Sequence, residues 1–166
     1  MNKIIITGPE SSGKTTLSKQ ISKYFKAPLV KEYARTYIQQ LNRKYNESDL
    51  IKIAHKQYEL ETKKNTLLIC DTDLITIKIW SEYRYKKCDN WILEKIKNQQ
   101  QENRTYFLCS PDIIWKQDPQ RENPNNREEL FAIYKQVLDS LKHNYYIIKG
   151  EKRFDQCVNK IKKLII

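Results

Sequence analysis

The sequence predicts a three-layer α/β fold, a parallel sheet with helices on both faces. Three observations carry that expectation. Five short apolar segments, at 3–7, 28–31, 66–71, 104–109 and 145–149, alternate with stretches of helical periodicity. Ile4-Ile5-Ile6 and Leu67-Leu68-Ile69 are apolar at every position, the pattern of strands buried on both faces. A glycine-bearing loop at 8–15 joins the first strand directly to a helix and holds two of the chain's three glycines, so glycine sits where the backbone demands it.

The 166 residues suit one domain, 1–166, with one core. The first apolar run leads straight into the glycine loop rather than to a signal-peptide cleavage site. No apolar run approaches the roughly 20 residues of a membrane span. A cytoplasmic protein with no membrane partner is expected. Cys70, Cys88, Cys109 and Cys157 form no C-x-x-C pair, and His55 and His143 stand apart, which argues against zinc. The net charge of +11 comes from dispersed lysines, such as Lys63-Lys64, Lys86-Lys87 and Lys162-Lys163. Without a long basic block it reads as a lysine-rich surface, and no specific nucleic-acid partner is expected. The sequence leaves the oligomeric state open.

Taken in order, the first strand is followed by Gly8-Pro9-Glu10-Ser11-Ser12-Gly13-Lys14-Thr15, which fits the P-loop pattern G-x-x-x-x-G-K-[ST]. A loop that wraps a phosphate turns its N–H groups inward, and glycine permits the dihedrals this needs. The helix that follows, from Thr16, adds unpaired donors and a positive dipole end. The expected nucleotide contacts are Gly8 to Thr16, with Lys14 on the β/γ-phosphates and Thr15 as a ligand for Mg²⁺. The nucleotide is ATP, or GTP in its place.

The second strand ends at Glu32-Tyr33-Ala34-Arg35. At this edge Glu32 can take a proton from an acceptor hydroxyl, and Arg35 can bind a phosphate or hold Glu32. The alternative is an i,i+3 surface ion pair. Glu32, Tyr33 and Arg35 are candidate acceptor contacts. The third strand ends in Asp71, a carboxylate placed to hold Mg²⁺ through water. Asp73, two residues on, either contacts substrate hydroxyls or caps the helix beginning at Leu74. The fourth strand leads into 111–127, where Pro111, Pro119 and Pro124 exclude a regular element. This segment reads as a lid carrying Arg121 and Arg127, candidates for transition-state charge. Trp115 either stacks on a ring of the substrate or anchors the loop.

Asn126 with Glu129 reads as a capping pair for a helix whose apolar stripe is Leu130, Phe131, Tyr134, Val137, Leu138 and Leu141. After the fifth strand, Phe154, Cys157, Val158, Ile161 and Ile165 make a second stripe.

These segments together resemble a known family. The P-loop through Thr16-Leu17, Glu32-Tyr33-Ala34-Arg35, Cys70-Asp71-Thr72-Asp73 with Thr76, Trp80-Ser81-Glu82 and Tyr85, and Pro111-Asp112-Ile113 with Trp115, Asp118 and Arg121 are similar to the ribosylnicotinamide kinase domain of NadR-like NAD-salvage proteins. The resemblance spans essentially the whole chain. It implies a P-loop NTPase fold of nucleoside/nucleotide-kinase type with strand order 2-3-1-4-5. It also implies ATP-dependent phosphorylation of the 5′-hydroxyl of nicotinamide riboside. No H-x-G-H signature of the family's adenylyltransferase domain occurs, so a stand-alone kinase is expected. A kinase for another nucleoside or nucleotide, and a regulatory ATPase that binds a partner, are the competing readings.

Overall fold

The structure is a computed structural model and describes residues 1–62 and 66–165. The Lys63-Lys64 pair lies outside the described residues. Five strands form one parallel sheet: β1 (Asn2–Thr7), β2 (Leu29–Val30), β3 (Leu67–Asp71), β4 (Arg104–Cys109) and β5 (Asn144–Ile148). Their order is β2-β3-β1-β4-β5, as the sequence led us to expect. Among the described residues seven helices connect or follow them: α1 (Lys14–Phe25), α2 (Tyr33–Gln39), α3 (Glu47–Leu60), α4 (Leu74–Tyr85), α5 (Asn90–Gln99), α6 (Arg127–Ser140) and α7 (Arg153–Leu164).

Period-two alternation along the strands divides the core into two layers. Ile5, Leu68, Cys70, Tyr106 and Leu108 face the layer under α2 to α6. Ile4, Ile6, Ile69, Phe107 and Cys109 face the layer under α1 and α7. β1 is central, with Ile5 in register with Cys70 on one side and Tyr106 on the other. Its all-apolar run is therefore buried on both faces. Cys70 and Cys109 lie on the strands flanking β1, and all four cysteines are free.

The helix stripes pack as their periodicity implies. Leu130, Tyr134 and Leu138 of α6, and Cys157, Val158 and Ile161 of α7, are buried. Ile165 lies beyond α7 and is exposed. The expected capping pair of α6 does not form. Asn126 donates instead to the Tyr83 hydroxyl, which itself donates to Glu129. The helix with a reciprocal capping box is α3, where Asn46 and Asp49 satisfy each other's backbone N–H groups.

All five strands run parallel, so the loops leaving their carboxyl ends gather at one edge of the sheet. Among the described residues no helix is long and apolar enough to cross a membrane.

Candidate active site

The loop after β1 is shaped by its two glycines. Gly8 has φ +133°, and a Cβ there would lie 2.6 Å from the Cys109 carbonyl oxygen on β4. No side chain fits so close to neighbouring backbone. Gly13, at φ +82°, is the N-cap of α1. The Ser12 hydroxyl and the Lys14 ammonium both donate to the Pro9 carbonyl, each at 2.7 Å. These bonds close the loop on itself and leave its outer residues on a cavity of about 210 Å³. Gly8 to Thr16 all line that cavity.

Glu32 and Arg35, at the start of α2, line the same cavity. Burial pushes the Glu32 carboxyl above its ordinary range, opposed by the nearby Lys14 ammonium. Arg35 donates to Asp118 in the 111–127 segment at 2.8 Å, so it ties α2 to that segment. Tyr33 does not line the cavity; its ring packs against the core and its N–H donates to Gln57.

Asp71 ends β3 and is buried, with its Oδ1 lacking a hydrogen-bond partner. Burial raises its pKa, and the Thr15 hydroxyl and Lys14 draw it down. An orphaned buried carboxylate oxygen beside a threonine hydroxyl is a hard-oxygen donor set that suits Mg²⁺, which takes few protein ligands. Thr72, next in the chain, has φ +66°, an uncommon conformation for a β-branched residue. It marks how tightly this turn is held.

Asp73 is a correction to the sequence reading. It has no exposed surface and does not reach the cavity. One carboxylate oxygen caps α4 by accepting from the Ile75 N–H at 3.0 Å. The other accepts from Arg104 at 2.9 Å and from the Tyr106 hydroxyl at 2.7 Å. Arg104 is itself buried and also paired with Glu61 at 2.8 Å. A cation inside the core drew the carboxylate inward, and the charge of Arg104 could not have stayed unpaired there.

Residues 111–126 contain no helix or strand and lie against the glycine loop. Glu10 accepts from the backbone N–H groups of Glu122 (3.1 Å) and Asn123 (2.9 Å). The Glu122 carboxylate accepts from the Tyr45 hydroxyl and from Arg84, each at 2.7 Å. Arg121 lines the cavity. Arg127 does not; it donates to the Ser11 and Ile113 carbonyls at 3.3 and 2.8 Å. Trp115 also lies off the cavity, with the guanidinium carbons of Arg121 and Arg127 at 5.9 and 5.7 Å from its ring centre. It anchors the two arginines by cation–π contact rather than presenting a face to a ligand.

The sequence reading missed Glu10 as the docking point of this segment, Arg104 as the partner of Asp73, and the aromatic wall of Trp80, Tyr83 and Tyr134. An arginine at the start of a largely apolar strand was the available signal for the second of these.

Solved structures with the same fold include kinases of nucleosides and nucleotides and a shikimate kinase. A NadR protein in complex with NR is 18% identical, with a TM-score of 0.74 over 98% of this chain and 51% of that one. The present chain thus spans about half the length of that protein. A deoxyadenosine kinase from M. mycoides is 15% identical, with a TM-score of 0.66 over 98% of this chain and 99% of that one. A thymidylate kinase from Ehrlichia chaffeensis is 15% identical, with a TM-score of 0.65 over 99% of this chain and 98% of that one. No curated protein shows significant sequence similarity. The fold is that of the P-loop nucleoside and nucleotide kinases. The AAA domain family matches residues 3–153, nearly the whole chain from β1 to the start of α7, and the protein belongs to that family.

Proposed function

We propose that the protein is an ATP-dependent kinase whose acceptor is a nucleoside, with nicotinamide riboside the first candidate. The observation that carries this reading is the meeting of Lys14 and Glu32 in one cavity, with the Glu32 carboxyl raised by burial. A carboxylate of raised pKa beside a phosphate loop suits proton abstraction from a hydroxyl.

In the proposed reaction the acceptor oxygen attacks the γ-phosphorus of ATP. Glu32 takes the hydroxyl proton, the bond from the γ-phosphorus to the β–γ bridging oxygen breaks, and ADP leaves. Lys14 and Arg121, which both line the cavity, stabilise charge on the transferring group. Thr15 and Asp71 would hold Mg²⁺, which when bound neutralises charge on the β- and γ-phosphates.

Away from the loop the apolar part of the cavity wall is Ile38, Ile79, Trp80, Tyr83, Leu130 and Tyr134. Such a surface fits a ring and a ribose, and Arg35, the cation at this end of the cavity, is already paired with Asp118 at 2.8 Å. This favours a nucleoside over a nucleotide. The cavity of about 210 Å³ is below the roughly 300–1,000 Å³ of small-molecule sites. The 111–127 segment, docked on Glu10, therefore works as a lid that must withdraw before two substrates can enter. The reading extends to a single domain over 1–166, acting in the cytoplasm in NAD salvage without a nucleic-acid partner.

The test is ADP release from ATP against a panel of nucleosides that includes nicotinamide riboside. Acceptor-dependent release with nicotinamide riboside, and a phosphorylated product, is expected. Release with a different nucleoside alone would move the acceptor. Release indifferent to every acceptor would favour the regulatory ATPase.

A further inference from the structure

Arg153 opens α7, on the far side of the sequence from the glycine loop, and it is 8% exposed. Its guanidinium engages three separate segments. Nη1 donates to the Ser12 carbonyl in the glycine loop at 2.8 Å. Nη2 donates to the Ser110 carbonyl, where the lid leaves β4, at 2.9 Å, and also to the Asp112 carboxylate. Nε donates to the Gly150 carbonyl, in the loop after β5, at 3.1 Å. Asp112 accepts in turn from the Gly150 N–H at 2.7 Å. The loops after β1, β4 and β5 thus meet on one side chain.

The contact with Ser12 has a directional consequence. No peptide bond among the described residues is cis, and in a trans peptide the C=O and the N–H point to opposite sides. Fixing the Ser12 carbonyl on Arg153 turns the Gly13 N–H the other way. Gly13 lines the cavity and caps α1, so its N–H belongs to the set of orphan donors that a helix N-terminus offers to an anion.

We propose that Arg153 is a positioning residue for the phosphate loop: it aims the Gly13 N–H at the nucleotide phosphates and ties the loop to the base of the lid. This rests on the reading of 8–16 as a nucleotide site. Lysine cannot take over the task. It keeps the charge but lacks the planar fork that reaches three segments at once.

The test uses the purified protein and ATP without any acceptor, so it does not depend on which nucleoside is phosphorylated. Affinity is measured by calorimetry, folding by circular dichroism and thermal melting, and the Gly13 amide by its proton–nitrogen resonance. Arg153→Lys should bind ATP roughly tenfold or more weakly at temperatures where it is folded, the effect of losing an anchor worth about 1.4 kcal/mol. The Gly13 resonance should shift in that variant even without nucleotide. Arg153→Ala should bind more weakly still and recover part of its affinity when free guanidinium is added. If Arg153→Ala does not fold, Arg153→Lys and its Gly13 resonance decide. A lowered melting temperature with unchanged ATP affinity and an unmoved Gly13 resonance would overturn the proposal and leave Arg153 a packing residue. Failure of the wild-type protein to bind ATP would overturn the nucleotide-site reading itself, and this inference with it.

Discussion

Glu32 and Asp73 are both carboxylates just past the carboxyl end of a strand, and only their surroundings separate them. Glu32 meets the cavity and Lys14; Asp73 meets Arg104 and the amide of Ile75. Glu32→Gln should therefore lose at least about 10²-fold in kcat/KM for the acceptor, the lower range for a lost general base. Because burial raises the Glu32 pKa, the acid limb of kcat/KM in the wild type should lie above the ordinary glutamate value of 4.5, and the variant should lack it. A pH profile of the two proteins checks this. Asp73→Asn should behave in the opposite way. Breaking a buried ion pair costs on the order of 3 kcal/mol, so denaturant unfolding should show a large loss. Acceptor kinetics of the folded variant should change little. Lys14→Ala should abolish phosphoryl transfer while the melting temperature holds, since among the described residues the Lys14 ammonium bonds to the Pro9 carbonyl alone. Turnover near the wild-type rate would rule that role out.

Among the elements, the 111–127 segment, proposed as a lid, is defined by what it touches. It leaves β4 at Ser110, rests on Glu10 through two backbone N–H groups, and reaches Tyr45 and Arg84 through Glu122. Both arginines donate to backbone carbonyls, Arg121 to Lys116 and Arg127 to Ser11 and Ile113, and of the two Arg121 lines the cavity. Arg121→Ala should lose roughly 10³-fold in kcat, as other phosphoryl-transfer arginines do. Its ATP affinity should fall much less, because the contact strengthens in the transition state. Equal losses in kcat and in ATP affinity would instead make Arg121 a binding residue. The same level shows where local patterns mislead. Asn126 and Glu129 have capping-box spacing, yet the Tyr83 hydroxyl from α4 claims both side chains. Asn46 and Asp49 have the same spacing, and there Arg43 and Tyr37 reinforce Asp49 in the box.

At the scale of the molecule, one buried network links the start of β4 to α3 and α4. Lys3 and Arg104 face Glu61, Asp73 and Glu102, three carboxylates against two cations. Burial pushes the Glu61 carboxyl up to about 7, against the pull of Arg104. The folded state thus holds a proton that the unfolded chain releases near 4.5. The contribution of Glu61 to stability is complete below about 4.5 and is lost as pH rises through about 7. Melting temperatures across that window should show a decline that Glu61→Gln flattens; an identical slope in both proteins would show that the proton sits elsewhere. The net charge of +11 also acts at this scale. Weak binding to DNA at low salt, vanishing steeply as salt rises, is the expected result of charge alone. Sequence-specific binding at physiological salt would support the regulatory reading.

The sequence by itself determined the glycine loop, the five strands, the irregular segment at 111–126 and the doubly covered sheet. Each of these is a local constraint: glycine dihedrals at Gly8 and Gly13, apolar runs at Ile4-Ile5-Ile6 and Leu67-Leu68-Ile69, prolines at Pro111, Pro119 and Pro124. What only the tertiary structure decided is where each polar side chain goes. Asp73 lies 31 residues from Arg104, Glu10 lies 113 from Asn123, and Arg153 lies 141 from Ser12. Backbone preference is settled within a few residues. The partner of a charged group is settled by which distant segment the fold brings beside it, and a buried charge must take the partner it finds there.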